Sequence, residues 1–219
     1  MASLGREFIQ KVEALCFETL LELGIEKRKA KIGTWDLHGE FHGWIGLNTE
    51  TRFGDGTMIV NPVVGVRFDP IHRLIAEINE VKYQPYSPAT ISRFLGNLAP
   101  EVLHGFEFSE SKDMKHVALQ IRSVVVDFGL PYVESNSSVK ALESRIPLDC
   151  AWEDAGERLL VAMYLRSDRN AVEREIRQRL KDGQSKPVNV KRFEEFSKRF
   201  ISYMGKCVTR QPNFDPSGR

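Results

Sequence analysis

This sequence has little cysteine, no long apolar run and almost no net charge. Cys16, Cys150 and Cys207 are three in number, far apart and without a C-x-x-C pair. That argues against a disulfide framework and a thiolate zinc site, and points to a reducing compartment, the cytoplasm. The first stretch, MASLGREFIQKVEALCFETLLELG, carries Glu7, Lys11, Glu13, Glu18 and Glu22 through its apolar pattern, so a soluble helix is expected there and not a signal or a membrane span. With 31 basic against 30 acidic side chains the formal charge is +1, and no global field draws the chain to nucleic acid or an anionic membrane. A glycine-rich phosphate loop, G-x-S-x-G and H-E-x-x-H are all missing, as are solenoid repeats and low-complexity tracts. These gaps shift the expectation from catalysis toward contact, and no cofactor is implied.

What is present is ordinary globular material. Hydrophobic residues make up 42% of 219, enough for one well-buried core, and we expect a single α+β domain over 1–205 with a loosely ordered tail at 206–219. Phe8, Val12, Leu15, Cys16, Leu20 and Leu23 recur at helical spacing after a possible Ser3 cap, and Gly24 is the stop. The pattern then changes period: in TWDLHGEFHGWIGLNTE, Trp35, Leu37, Phe41, Ile45 and Leu47 alternate with Asp36, His38, Glu40 and His42. A three-residue loop, His38 to Glu40, keeps both rows on their own faces by pairing Asp36 with His42, whereas a two-residue turn mixes them.

FGDG at 53–56 marks a turn, and Met58, Val60, Val64, Val66 and Phe68 form the core side of the next strand, with Pro62 suggesting an edge or a bulge. Asp69-Pro70 reads as a cap and first turn of a helix, and Ser87-Pro88 as the same signal before a short helix ending near Gly96. A long apolar stripe, Met114, Val117, Ala118, Ile121, Val124, Val125 and Phe128, is expected to stop at Gly129 and Pro131. A short capped helix at SNSSVKALESR, an unbroken apolar run over 158–168 that reads as a buried strand or a core helix, with helix preferred, a charged helix capped by Asp168, and a final helix through Phe193, Phe196, Phe200, Ile201 and Met204 complete the chain. The expected class is α+β: an antiparallel sheet covered on one face by helices, with a helical C-terminal half.

The leading helix, the sheet through VNPVVGVRFD, the long helix ending in DFGLPYVESNSSVKALES and the helical C-terminus resemble an uncharacterised bacterial α+β domain family with that order of elements. Its Gly-Leu-Pro-aromatic stop is matched by Gly129, Leu130, Pro131 and Tyr132. The resemblance implies a fold and no reaction.

Two sets of residues could carry chemistry. Asp36, His38 and His42, with Glu40, are metal-ligand types on one strand face, yet alternate residues lie roughly 6.5–7 Å apart and cannot all reach one ion without a turn. A polar row on a half-buried sheet also produces the pattern. Asp69 with Glu80 and Lys82 has the spacing of a magnesium nuclease set, but the helix expected after Asp69 would separate the three. Trp44 and Arg52 beside Asp36 and His42 supply an aromatic anchor and a guanidinium for a contact surface, unless Trp44 packs inward. The Arg169 to Lys181 run interleaves with Glu173, Glu175 and Asp182, which suits a salt-bridged face better than a nucleic-acid helix.

The reading that results is a non-enzymatic cytoplasmic binding protein, of the kind of a bacterial immunity or phage-defence accessory factor. Its protein partner would be met through Asp36, His42, Trp44 and Arg52. The rival is a metal-dependent hydrolase or nuclease.

Overall fold

A computed structural model describes residues 5–29, 31–52, 56–85, 88–102, 104–150, 154–183 and 187–207, the side chains at 52, 187–190 and 207 excepted. The fold is α+β, with an antiparallel six-stranded sheet and a helical C-terminal half. The chain divides into two compact units. One comprises Met1–Leu37, His42–Arg67 and Ser92–Asn136, the other His38–Phe41, Phe68–Ile91 and Ser137–Arg219.

The first unit holds the sheet. Helix α1 (Arg6–Leu21) buries Phe8, Val12, Cys16, Phe17 and Leu20, and Gly24 follows with φ 75°. Its cap position is Gly5, and Ser3 lies outside the described residues. Strands β1 (Glu26–Lys29), β2 (Ile32–Asp36), β3 (Phe41–Arg52), β4 (Thr57–Phe68) and β5 (Ile91–Phe94) lie in that order, with β6 (Phe106–Phe108) also paired to β4. β2 and β3 meet in the odd register, Asp36 opposite His42 and Trp35 opposite Gly43. The turn is closed by the Phe41 N–H donating to the His38 carbonyl at 3.0 Å, with Gly39 at φ 57°, a conformation that favours glycine. Of the FGDG turn, residues 53–55 lie outside the described ones.

Three expectations need correcting here. β4 is not an edge strand, because it lies between β3 and β5; Pro62, which has no N–H to give, falls beyond the Met58–Val60 stretch that pairs with β6. The segment before Gly96 is mainly the strand β5, with α3 (Leu95–Leu98) and a 3-10 turn (Pro100–Val102) only after it. The long helix does not stop at Gly129. Helix α4 (Met114–Val124), capped by Asp113, runs through a π-helical turn (Val125–Gly129) into α5 (Leu130–Ser135). A helix-interior proline collides with the carbonyl four residues back, and the wider π turn just ahead of Pro131 gives its ring room.

The second unit is helical. Helix α2 (Asp69–Ile78) begins with Phe68 at the cap position, so Asp69 is its first residue and not its cap. Helices α6 (Val139–Asp149), α7 (Ala155–Leu165), α8 (Arg169–Gly183) and α9 (Pro187–Cys207) follow. Ser138 caps α6 and Asp168 caps α8 through the Ala171 N–H at 2.8 Å. The run at 158–168 is helical through Leu165, and Leu159 to Ala162 are all buried, as a helix apolar on every side requires. The final helix extends to Cys207, beyond the point where a loose tail was expected; residues 208–219 lie outside the described ones.

Thr90 ties this unit together locally. Its Oγ1, fully buried, accepts from the Phe68 N–H at 2.9 Å and lies 3.0 Å from His72 Nε2. Thr90→Val keeps the shape and orphans the Phe68 N–H, so it should cost about 1–3 kcal/mol in a thermal melt, whereas Thr90→Ser should cost far less.

Candidate functional site

Of the expected contact surface, one pair is formed. His42 Nδ1 lies 3.0 Å from Asp36 Oδ1, with the Asp36 side chain 85% exposed. Trp44 does not join them. It is buried, its ring lies across Gly46, and its indole N–H has no acceptor among the described residues. The even row is therefore interrupted: Gly43 to Leu47 are all buried, so both parities of β3 are covered there, while Asp36 at the hairpin end and Asn48 and Glu50 further along are exposed. Arg52 ends β3, and its side chain lies outside the described ones.

The other row members have partners of their own. His38 Nε2 is 3.2 Å from Ser137 Oγ, and Glu40 takes Arg73 in an ion pair. Among the described residues no three His, Cys, Asp or Glu side chains are placed to hold a metal ion. The second set is divided by its helix. Asp69, at the first position of α2, faces Arg73 at 3.5 Å, while exposed Glu80 and Lys82 lie past the far end, with ten residues at about 1.5 Å each between. On α8, Arg169–Glu173 and Arg179–Glu175 are paired, a salt-bridged face. Burial pushes the Cys16 thiol up to about 12 and the Cys150 thiol up to about 11, so neither is a ready thiolate at neutral pH.

The second unit holds a recess that the sequence patterns did not single out. Helix α2 ends at Asn79 in a Schellman turn: the Glu80 N–H donates to the Glu77 carbonyl at 3.1 Å and the Val81 N–H to Ala76 at 2.9 Å. Glycine usually takes the reversing position; here it is Glu80, at φ 55°. The turn presents Asn79 and Val81 to a cleft of about 290 Å³ that is otherwise lined by Glu157 of α7 and Arg192, Glu195, Phe196 and Arg199 of α9. Those four recur at i, i+3, i+4 and i+7, so one face of α9 forms that wall. Gly156 sets the spacing, since a Cβ there would meet the Phe193 ring at 2.8 Å.

Glu157 is the unusual group. Its side chain is 2% exposed; Oε1 accepts from Arg192 Nε at 2.8 Å, and Oε2 has no hydrogen-bond partner among the described residues. Burial raises the carboxyl above its ordinary value, and nearby Asp154 adds to this. The Arg192 guanidinium and the neighbouring Asn79 amide pull the other way, though neither closes a hydrogen bond on Oε2. Arg199, on the rim, donates to the neutral Asn79 Oδ1 at 3.3 Å. The sequence does contain a hint: Gly156-Glu157-Arg158 opens a helix that is apolar all round, so charges in its first turn are drawn inside with it.

No protein family, curated protein or solved structure matches this chain. Among the described residues no helix is long and apolar enough to cross a membrane.

Proposed function

We propose that this chain is a binding protein that takes a small polar ligand in the Glu157 cleft. The observation that supports this most is Glu157 Oε2, an acceptor without a donor, in a buried side chain on the wall of an open recess. An unsatisfied buried acceptor costs stability, and binding sites are where chains retain such costs. The left-handed Glu80 beside it is a second such cost, of roughly 1–2 kcal/mol.

Glu157→Gln tests the reading. A carboxyl whose value is raised in the fold is destabilised, relative to the unfolded chain, once pH rises through that value, so the penalty is present at pH 7. Replacing it with the neutral isostere should raise Tm at pH 7 by about 2–4 °C, equivalent to about 1 kcal/mol in a chain of this length. The gain should vanish as pH falls below the ordinary carboxyl value near 4.5. A loss of Tm of that size at pH 7 would make the Glu157–Arg192 pair a structural one and overturn the reading.

A second reading is favoured by the solvent-facing Asp36–His42 pair. There the hairpin end meets a protein partner, as a cytoplasmic immunity or phage-defence accessory factor would. Loss of a partner from pull-downs with Asp36→Ala and His42→Ala, but not with Glu157→Gln, would favour it over the cleft.

A further inference from the structure

Resting on the cleft reading, we infer that the ligand is a small zwitterion of the amino-acid class, with its ammonium on Glu157 and its carboxylate on Arg199. Two residues that line the same recess have hydrogen-bonding capacity left over, one just beneath its wall and one on its rim. Glu157 Oε2 is a buried acceptor that lacks a donor. Arg199 is a cation whose hydrogen bond goes to the neutral Asn79 oxygen and not to a carboxylate.

The other two charges of the lining, Arg192 and Glu195, are opposite in sign and cancel, and Arg192 is held by Glu157 Oε1, which leaves Oε2 for a donor. A lone amine would satisfy Glu157 and leave Arg199 unmatched, and a lone anion would do the reverse while facing the Glu157 charge. One molecule that carries both charges satisfies both, each by a charge-assisted hydrogen bond. The remaining walls suit the body of such a molecule. Val81, 60% exposed, and the Phe196 ring give it apolar contact, and about 290 Å³ admits a free amino acid while leaving little room for a folded partner.

The spacing between the two charges of the ligand decides whether an α-amino or an ω-amino acid fits best, and the experiment separates these. Calorimetric titration of the full chain with a panel of α- and ω-amino acids, with methylammonium and acetate as half-ligands, gives the answer. At least one amino acid should bind saturably at one site per chain, at least about tenfold tighter than either half-ligand.

Glu157→Gln and, at the exposed rim, Arg199→Gln should each weaken it by about tenfold or more. Equal binding of one half-ligand and the amino acid, weakened by Glu157→Gln, would overturn the zwitterion and leave the cleft standing. No saturable heat from any member of the panel would likewise overturn the zwitterion, while the Glu157→Gln melt judges the cleft by itself. Undiminished amino-acid binding by Glu157→Gln would overturn both.

Discussion

Gly43→Ala should lower stability by about 3 kcal/mol, at the upper end of the usual cost of overpacking. Gly43 stands directly across from Trp35 in the β2–β3 register, and the indole lies over it. A Cβ at position 43 would fall 1.9–2.4 Å from three atoms of the ring. Those atoms belong to a rigid bicycle and not to the end of a flexible chain, so the strand or the whole indole has to move.

Urea titration gives the loss directly, and the cause can be isolated by the double variant Trp35→Leu with Gly43→Ala. If the ring is the obstacle, the two changes are strongly non-additive and the double variant is more stable than the sum of its parts predicts. Additive losses would mean that Gly43 is needed for some reason other than the Trp35 ring.

Arg158→Met should cost about 3–5 kcal/mol, the range found when one partner of a buried ion pair is removed. The Arg158 side chain is 9% exposed. Its Nε and Nη2 reach Asp154 at 3.0 and 2.7 Å, and Nη1 donates to the backbone carbonyls of Ala89 and Thr90 at 2.6 and 2.7 Å. Methionine fills the volume of the stem but orphans two carbonyls and a carboxylate together. Because Asp154 is 29% exposed and keeps some water, Asp154→Asn should cost much less, about 1 kcal/mol. A loss for Arg158→Met no larger than that of Asp154→Asn would show that the two carbonyls find other donors. Thr90, placed by Arg158 through its carbonyl, also holds the Phe68 N–H through its hydroxyl, so the two sites should couple in a double-mutant cycle.

The hairpin could be read from the sequence because parity is local. Leu37 and Phe41 on one side and Asp36 and His42 on the other leave one register that keeps apolar with apolar, and the strands adopt it. The amphipathic helices were legible for the same reason, since Val12, Cys16 and Leu20, or Phe196, Phe200 and Met204, state their own inward face. What failed depends on residues far along the chain. Trp44 sits in a polar row but is buried, because the cover on its face of β3 is a tertiary fact. Strands β5 and β6 are four and three residues long, too short for a period to show.

The end expected at Gly129 and Pro131 failed differently. A proline only weakly forbids helix on its N-terminal side when a π turn can absorb the collision, and this chain uses one. The Glu157 cleft was the least legible feature. Its acceptor and its cations lie 35 and 42 residues apart, on α7 and α9, and meet because Gly156 lets Phe193 come close. The Asp36–His42 pair, by contrast, was legible and is formed, but with Trp44 buried it offers a partner a hairpin-end hydrogen-bonded pair and no aromatic anchor.

The measurement closest to the central claim is the titration of the Glu157 carboxyl itself, followed by carbon NMR and assigned by its disappearance in Glu157→Gln. A carboxyl that is desolvated, with one oxygen lacking a donor, should titrate above the ordinary value near 4.5 and move downward when an ammonium-bearing ligand fills the cleft. A value at or below 4.5 in the free protein would mean that water or Arg192 already satisfies both oxygens, and the cleft would have nothing left to offer a ligand.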